Sequence, residues 1–120
     1  MFWPAPGRAR DAEHFAAEAA RMRRQAIAAG DQPYGAVLVL NGDIVGFGPS
    51  RVVTDRDVNA HAERVALWHA QKTLGQQKID GAMIYATSQP CSICQKALVQ
   101  AGIVRMYVGP AATDAGKPEP

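Results

Sequence analysis

The chain has 120 residues, a length typical of one domain built around one hydrophobic core. Hydrophobic residues make up 48% of it and charged residues 20%, which excludes a disordered or fibrous protein. The net charge of +2 is too small to indicate a nucleic-acid or membrane partner by itself. No segment has the apolar length of a signal peptide or a membrane span, so we expect a cytoplasmic protein without a membrane partner.

Helical and extended patterns alternate along the chain. Continuous apolar runs rich in β-branched residues are typical of strands buried on both faces, and glycines stand where the predicted helices end. An Asn-Gly turn between the first two apolar runs predicts a hairpin. The elements predicted in chain order are a helix at 11–29, strands at 34–40 and 44–47, a helix at 60–74, a strand at 81–87, a helix at 92–101 and a strand at 103–109.

One α/β domain accounts for this alternation of helices and strands. We predict an N-terminal extension at 1–10, the domain itself at 11–109, and a tail at 110–120. The tail has the composition of a loose end, so we expect no regular structure there. Asn59 is the expected N-cap of the helix at 60–74.

Both cysteines of the chain, Cys91 and Cys94, lie in the segment QPCSIC, directly after Pro90. The free N–H groups and the positive dipole end of the helix predicted to start there favour thiolates. Such a pair can be a disulfide, a redox pair, half of a structural zinc site or part of a catalytic one. A reducing cytoplasm weakens the disulfide interpretation, whereas CSIC alone leaves the redox pair open.

The start of the helix at 60–74 carries a second group of polar residues, in the segment NAHAERVAL. His61 can supply a neutral imidazole, and Glu63 a carboxylate that need not bind metal. On a regular helix these two side chains point about 200° apart, so they converge only if His61 lies in an irregular first turn. Alternatively, Glu63 is a solvated residue that the helix dipole favours.

Taken together, His61, Glu63, Pro90, Cys91 and Cys94 match the pattern H-x-E…P-C-x-x-C of zinc-dependent deaminases. The chain resembles the cytidine and deoxycytidylate deaminase superfamily. Its segments PYGAVLV, VNAHAERVAL, IYATSQPCSIC and AGIVRMYVG look closest to the branch that holds the guanine deaminases and tRNA adenosine deaminases. The resemblance implies a three-layer α/β/α fold, in which a mixed central sheet has helices on both faces.

The resemblance also implies one Zn²⁺ per chain, bound by His61, Cys91 and Cys94. Three protein ligands fit a catalytic zinc site, because closed structural sites use four. In the implied hydrolytic deamination, Glu63 moves protons from water to a ring nitrogen and to the departing ammonia.

Four further residues are expected to contact the substrate. The resemblance gives this role to the backbone N–H of Ala62 and to Pro90, which shapes the same wall. Ser50 stands where nucleoside-acting relatives carry Asn, which leaves the recognition of a ribose open. Tyr34 has the ring needed to stack on a base.

The expected substrate is a free nucleobase or nucleoside of guanine or cytosine type, because no Lys/Arg-rich run lies next to either motif. The alternatives are a deaminase acting on tRNA or another nucleic acid, and a non-catalytic zinc-binding module. The fifth strand and closing helix usual in the family look shortened in this chain. We therefore expect an open pocket, or one that the neighbouring subunit of a homodimer completes.

Overall fold

The structure is a computed structural model that describes residues 9–120. Its five strands form one sheet, and its helices pack on both faces of that sheet. The elements in chain order are α1 (Ala9–Ala28), β1 (Gly35–Leu40), β2 (Asp43–Pro49), α2 (Ala62–Leu74), β3 (Met83–Ala86), α3 (Ser92–Ala101), β4 (Arg105–Val108) and β5 (Thr113–Gly116).

The order of the strands across the sheet, β2-β1-β3-β4-β5, brings two strand ends together. Strand β1 is antiparallel to both β2 and β3, so β2 and β3 run in the same direction. Their carboxyl ends therefore lie at one edge of the sheet. Each is followed by a loop and a helix, so α2 and α3 both begin at that edge.

The continuous apolar run in β1 is explained by burial on both faces. Ala36 and Leu38 point to a core formed with α2 and α3. Val37 and Val39 point to the opposite core, formed around Phe15 of α1. The mixed sheet between two helical layers confirms the predicted three-layer α/β/α fold.

Two glycines of β2 set the distance between α2 and the sheet. A Cβ atom at Gly46 would overlap the carbonyl oxygen of Ala66, and one at Gly48 would overlap that of Ala62. Helix α2 can lie directly on β2 only because these positions carry no side chain. The first turn of α2 is thereby held against the sheet edge described above.

The C-terminal residues differ most from the prediction, because the expected loose tail is ordered. Thr113–Gly116 form β5, which pairs antiparallel with β4. Pro118 is buried, and the backbone N–H of Glu119 donates a hydrogen bond of 3.0 Å to Gln95 Oε1. Small and polar residues predict no strand, but the open backbone edge of β4 supplies the partners that make one. The fifth strand is therefore present, and no helix follows β4 within the described residues.

The start of α2 also differs from the prediction. The helix begins at Ala62 and has His61, not Asn59, as its N-cap. The predicted N-terminal extension falls mainly on residues 1–8, which lie outside the described part of the chain, while residues 9 and 10 belong to α1. Within the described residues, no helix has the length and apolar character needed to cross a membrane.

Candidate metal and reaction site

The caps of α2 and α3 supply the side chains that meet at the common sheet edge. His61 caps α2 with φ −63° and ψ 154°, and Cys91 caps α3 with φ −70° and ψ 167°. Both residues are extended, and neither uses its side chain to cap its own helix. The imidazole and the thiol are therefore free to face each other across the edge.

His61, Cys91 and Cys94 place their ligand atoms within 4.8 Å of one another. The Nδ1 atom of His61 lies 3.6 Å from Cys91 Sγ and 3.4 Å from Cys94 Sγ, and the two sulfurs are 3.3 Å apart. Tetrahedral zinc with ordinary bond lengths separates sulfur from nitrogen by about 3.6 Å and two sulfurs by about 3.8 Å. The three donors therefore fit a zinc ion, and with no fourth protein ligand in this group they leave one coordination position open.

The two thiols are free and not joined in a disulfide. Burial, and then the contact with Cys91, raise the pKa of the Cys94 thiol, which is 1% exposed. A divalent cation at the site reverses this preference, because a coordinating thiol is deprotonated. The imidazole of His61 lies beside both sulfurs and supplies a third metal donor, which favours metal binding over a redox pair of two thiols.

Glu63 lies in the first turn of α2, one residue beyond Ala62, and is only 6% exposed. Burial raises the pKa of its carboxyl, and a backbone hydrogen bond lowers it to a smaller extent. His61 precedes the helix, so the 200° separation of a regular helix does not apply to the pair. The alternative of a solvated first-turn glutamate is wrong, because the side chain is buried.

A cavity of about 210 Å³, called the reaction pocket below, opens beside these residues. Tyr34 and Ala62, both predicted substrate contacts, lie in its wall together with Glu63. Its lining residues are Gln32, Tyr34, His61, Ala62, Glu63, Ser88, Gln89 and Cys91.

The other two predicted substrate contacts, Ser50 and Pro90, are not among the residues that line this pocket. Ser50 is 2% exposed, and its hydroxyl donates a hydrogen bond of 2.9 Å to Asp31 Oδ1. Pro90 is buried, and its carbonyl oxygen accepts a hydrogen bond of 2.8 Å from Gln95 Nε2. Both residues hold loops around the pocket in this structure, and their direct contact with a substrate stays a prediction.

Asp31 organises the loop that follows β2. Its carboxylate also accepts hydrogen bonds from the backbone N–H groups of Val53, at 3.0 Å, and Thr54, at 2.7 Å. Burial would raise the pKa of this carboxyl, but the hydrogen bonds from Thr54, Gln32 and Ser50 lower it to about 2. The loop leading to His61 is thus tied to the turn after α1.

Sequence reasoning missed Asp31, Gln32, Ser88 and Gln95. Gln32 and Ser88 line the pocket, whereas Asp31 and Gln95 hold its surrounding loops. The only local signal was the position of Asp31 and Gln32 directly after the helix-ending Gly30, which predicts a turn but no contact with residue 50.

The fold and the site define an α/β domain with a three-ligand zinc centre and a buried carboxylate. The model of the family "Cytidine and deoxycytidylate deaminase zinc-binding region" matches residues 9–110, and the chain belongs to this family. The family is zinc-binding, which agrees with the donor set and confirms the predicted cofactor.

Similarity extends to individual deaminases. The tRNA-specific adenosine deaminase of Agrobacterium fabrum is 38% identical over 96 residues, which are 80% of this chain and 63% of that protein. The guanine deaminase of Bacillus subtilis is 35% identical over 85 residues, 71% of this chain and 54% of that protein. A solved structure from work on tRNA:A34 deaminases superposes with a TM-score of 0.76 at 38% identity, covering 79% of this chain and 73% of that one.

The chain thus spans 63% and 54% of the length of these two curated relatives. The region that the family model matches, residues 9–110, contains the complete metal and reaction site described above. The remaining residues of these relatives lie outside the matched region.

Proposed function

We propose that this chain is a zinc-dependent hydrolytic deaminase that replaces the exocyclic amino group of a purine base by a carbonyl oxygen. The observation that carries the proposal is the buried Glu63 carboxyl in the wall of the same pocket as His61 and Cys91. A purely structural zinc site has no use for a buried carboxylate that binds no metal and whose pKa is raised.

The reaction exchanges one bond for another at a ring carbon. A bond forms between the carbon and the oxygen of water, the C–N bond breaks, and the nitrogen leaves as ammonia. Zinc at a three-ligand site supplies water whose pKa is lowered to about 7. The Glu63 carboxyl would transfer both protons of the attacking water in turn, the first to the ring nitrogen and the second to the leaving nitrogen, which departs as ammonia.

The remaining pocket residues bind and orient the ring. The backbone N–H of Ala62, in the first turn of α2, has no intrahelical acceptor and can donate to a ring nitrogen or carbonyl. Tyr34 is 42% exposed and offers a ring face for stacking. A volume of about 210 Å³ is smaller than the roughly 300–1,000 Å³ of sites for drug-sized ligands, so it suits one base and not a whole nucleotide.

The relatives support a purine, because their names specify adenosine in tRNA and guanine. We place adenosine within tRNA first, since the tRNA-specific relative is similar over a larger share of this chain. A free guanine-type base is the second candidate, supported by the size of the pocket and by the guanine deaminase. The free base or nucleoside expected from the sequence is therefore the second choice here.

The test measures ammonia release by the zinc-loaded protein. Substrates are adenine, guanine, cytosine, their nucleosides and unmodified tRNA. We expect turnover of at least one purine substrate and a loss of at least ~10²-fold in the Glu63→Gln variant with zinc retained. Glu13→Gln, an exposed glutamate of α1, is the matched control and keeps full activity. A zinc-loaded wild type that deaminates none of these substrates would establish the non-catalytic zinc-binding module instead.

We also propose that the protein is a homodimer, as the family resemblance implies. Val58 and Ile93, which are 78% and 61% exposed, flank the metal ligands and support this proposal because they leave apolar surface uncovered. Sedimentation analysis of the purified protein at several concentrations tests it, and a monomer throughout the range would refute it.

A further inference from the structure

A second cavity, called the side cavity below, adjoins the reaction pocket. Its volume is about 360 Å³, larger than the 210 Å³ of the reaction pocket. Tyr34 and Ser88 line both cavities, so the two spaces meet at these residues. These shared residues make the side cavity a candidate for a group attached to a ring in the reaction pocket.

Most of the wall of the side cavity is apolar. Ala16 and Ala20 of α1 form one side, and Pro33 and Pro110 belong to the adjoining loops. Small side chains on α1 leave room that larger residues would fill. The polar side chains that lie beside Tyr34 can form hydrogen bonds to a ribose, and the apolar wall can pack against a second base.

Arg23 is the one charged residue in this wall. Its Nε donates a hydrogen bond of 3.0 Å to the carbonyl oxygen of Pro33, which fixes the guanidinium at the rim. That bond uses one of the five N–H donors of an arginine, and the others remain for a ligand. Arginine presents these donors in a planar fork that matches a phosphate.

Two other arginines, unlike Arg23, are paired with carboxylates. Arg21 forms an ion pair of 3.0 Å with Glu18, and Arg51 forms one of 2.8 Å with Asp55. Arg23 takes part in no ion pair with any residue of the described chain at 11–120. Its positive charge is therefore not neutralised by a carboxylate at the mouth of the side cavity.

We propose that the side cavity binds the sugar–phosphate part of the substrate, with a phosphate on Arg23 and the reacting base in the reaction pocket. The substrate is then a nucleotide unit and not a bare base. The phosphate belongs either to a mononucleotide or to a nucleotide next to the target within RNA. This inference rests on the proposed deaminase function, whose substrate class it makes specific.

The test compares three forms of one base: the nucleoside, its 5′-monophosphate, and an RNA hairpin with that nucleotide unpaired in the loop. Adenosine and guanosine series are both measured with the zinc-loaded protein. We expect kcat/KM to be roughly 10-fold higher for a phosphate-bearing form than for the nucleoside, the scale of a hydrogen bond to a charged group. A gain with the monophosphate indicates a mononucleotide, and a gain with the hairpin alone indicates RNA.

Variants of Arg23 test whether the higher kcat/KM of the phosphate-bearing substrates depends on its side chain. Arg23→Gln should reduce the ratio of phosphate-bearing to nucleoside kcat/KM towards one, and Arg23→Lys should restore part of it. Arg21→Gln, on the same helix, should keep the wild-type ratio. A ratio unchanged in Arg23→Gln, or reduced equally in Arg21→Gln, would overturn the proposal.

A binding measurement separates this proposal from the proposed function. If zinc-loaded protein deaminates no substrate, the deaminase function fails, and titration calorimetry with the monophosphates and the hairpins still tests the cavity. Weaker binding by Arg23→Gln than by Arg21→Gln would support the phosphate site in that case. Equal binding by the two variants would refute it.

Discussion

The Nδ1 atom of His61 lies 3.4 Å from the Sγ atom of Cys94, although the two residues are 33 positions apart in the chain. His61 lies at the start of α2 and Cys94 at the start of α3, and strand β3 separates these two helices along the chain. Their contact depends on the parallel direction of β2 and β3, which places both helix starts at one edge of the sheet. The metal site is therefore a product of sheet topology.

Zinc should be present at about one ion per chain, because three ligand atoms converge within 4.8 Å of one another. His61→Ala and Cys94→Ala should each lose the metal and lower the melting temperature, since the ion joins α2 to α3. Elemental analysis and thermal unfolding measure both effects. His14→Ala, which replaces an exposed histidine of α1, should retain zinc. A wild-type protein without zinc whose thiols cycle as a disulfide would favour the redox pair.

Gly48→Ala should damage the zinc site as well as the fold. The added methyl group would overlap the carbonyl oxygen of Ala62, beside His61, and should displace the start of α2. We expect a loss of roughly 1–3 kcal/mol in the free energy of unfolding, together with weaker zinc binding.

Gly75→Ala is the comparison for that variant. Gly75 ends α2 far from the metal with φ 67°, and a Cβ there would meet no atom within 4 Å. Backbone strain should lower the stability by about 1 kcal/mol, with zinc affinity unchanged. Chemical denaturation and competition with a chelator measure the two quantities. Equal zinc affinity in both variants would show that close packing of α2 on β2 does not position His61.

Asp31→Asn should loosen the loop between β2 and α2 and reduce the free energy of unfolding by about 1–3 kcal/mol at neutral pH, because a charged acceptor of several hydrogen bonds is lost. The folded-state pKa of about 2 lies below the ordinary value of an aspartate side chain. This carboxylate therefore stabilises the fold above about pH 4, and its contribution disappears as the pH falls towards 2.

Denaturation curves between pH 2 and 7 test the role of Asp31. The wild type should lose more stability over the acidic range than Asp31→Asn does. Asp43→Asn, at the exposed first residue of β2, should follow the wild type. Parallel curves for all three proteins would contradict a stabilising Asp31 carboxylate.

Gln95→Ala should release the C-terminal residues from the metal loop. The Gln95 side chain joins the carbonyl oxygen of Pro90 to the backbone N–H of Glu119, at 2.8 and 3.0 Å. Its removal should cost about 1–2 kcal/mol of stability and speed hydrogen exchange at the Glu119 amide. Gln100→Ala, on the exposed side of the same helix, should change neither. Wild-type exchange at Glu119 in Gln95→Ala would show that β5 alone orders the tail.

Sequence alone predicted the regular elements well where their signals are local. The span of α3 and the glycine that ends it agree with the prediction, because cap, apolar spacing and stop lie within one short segment. The start of α2 does not, since two polar residues compete as N-cap and the tertiary position of His61 decides between them. Strand β5 was not predicted, because it is stabilised by pairing with β4 and its own residues have little preference for a strand.

The sequence by itself determined the chemistry of this protein: one imidazole, two thiols and one carboxylate in a spacing that few other functions use. Only the tertiary structure decided that Glu63 is buried, that Ser50 binds Asp31 instead of lining the pocket, and that Arg23 stands at a second cavity. The physical reason is the range of the interactions. Capping, turns and helical periodicity act within about four residues, whereas burial and hydrogen bonds between loops depend on which strands lie side by side.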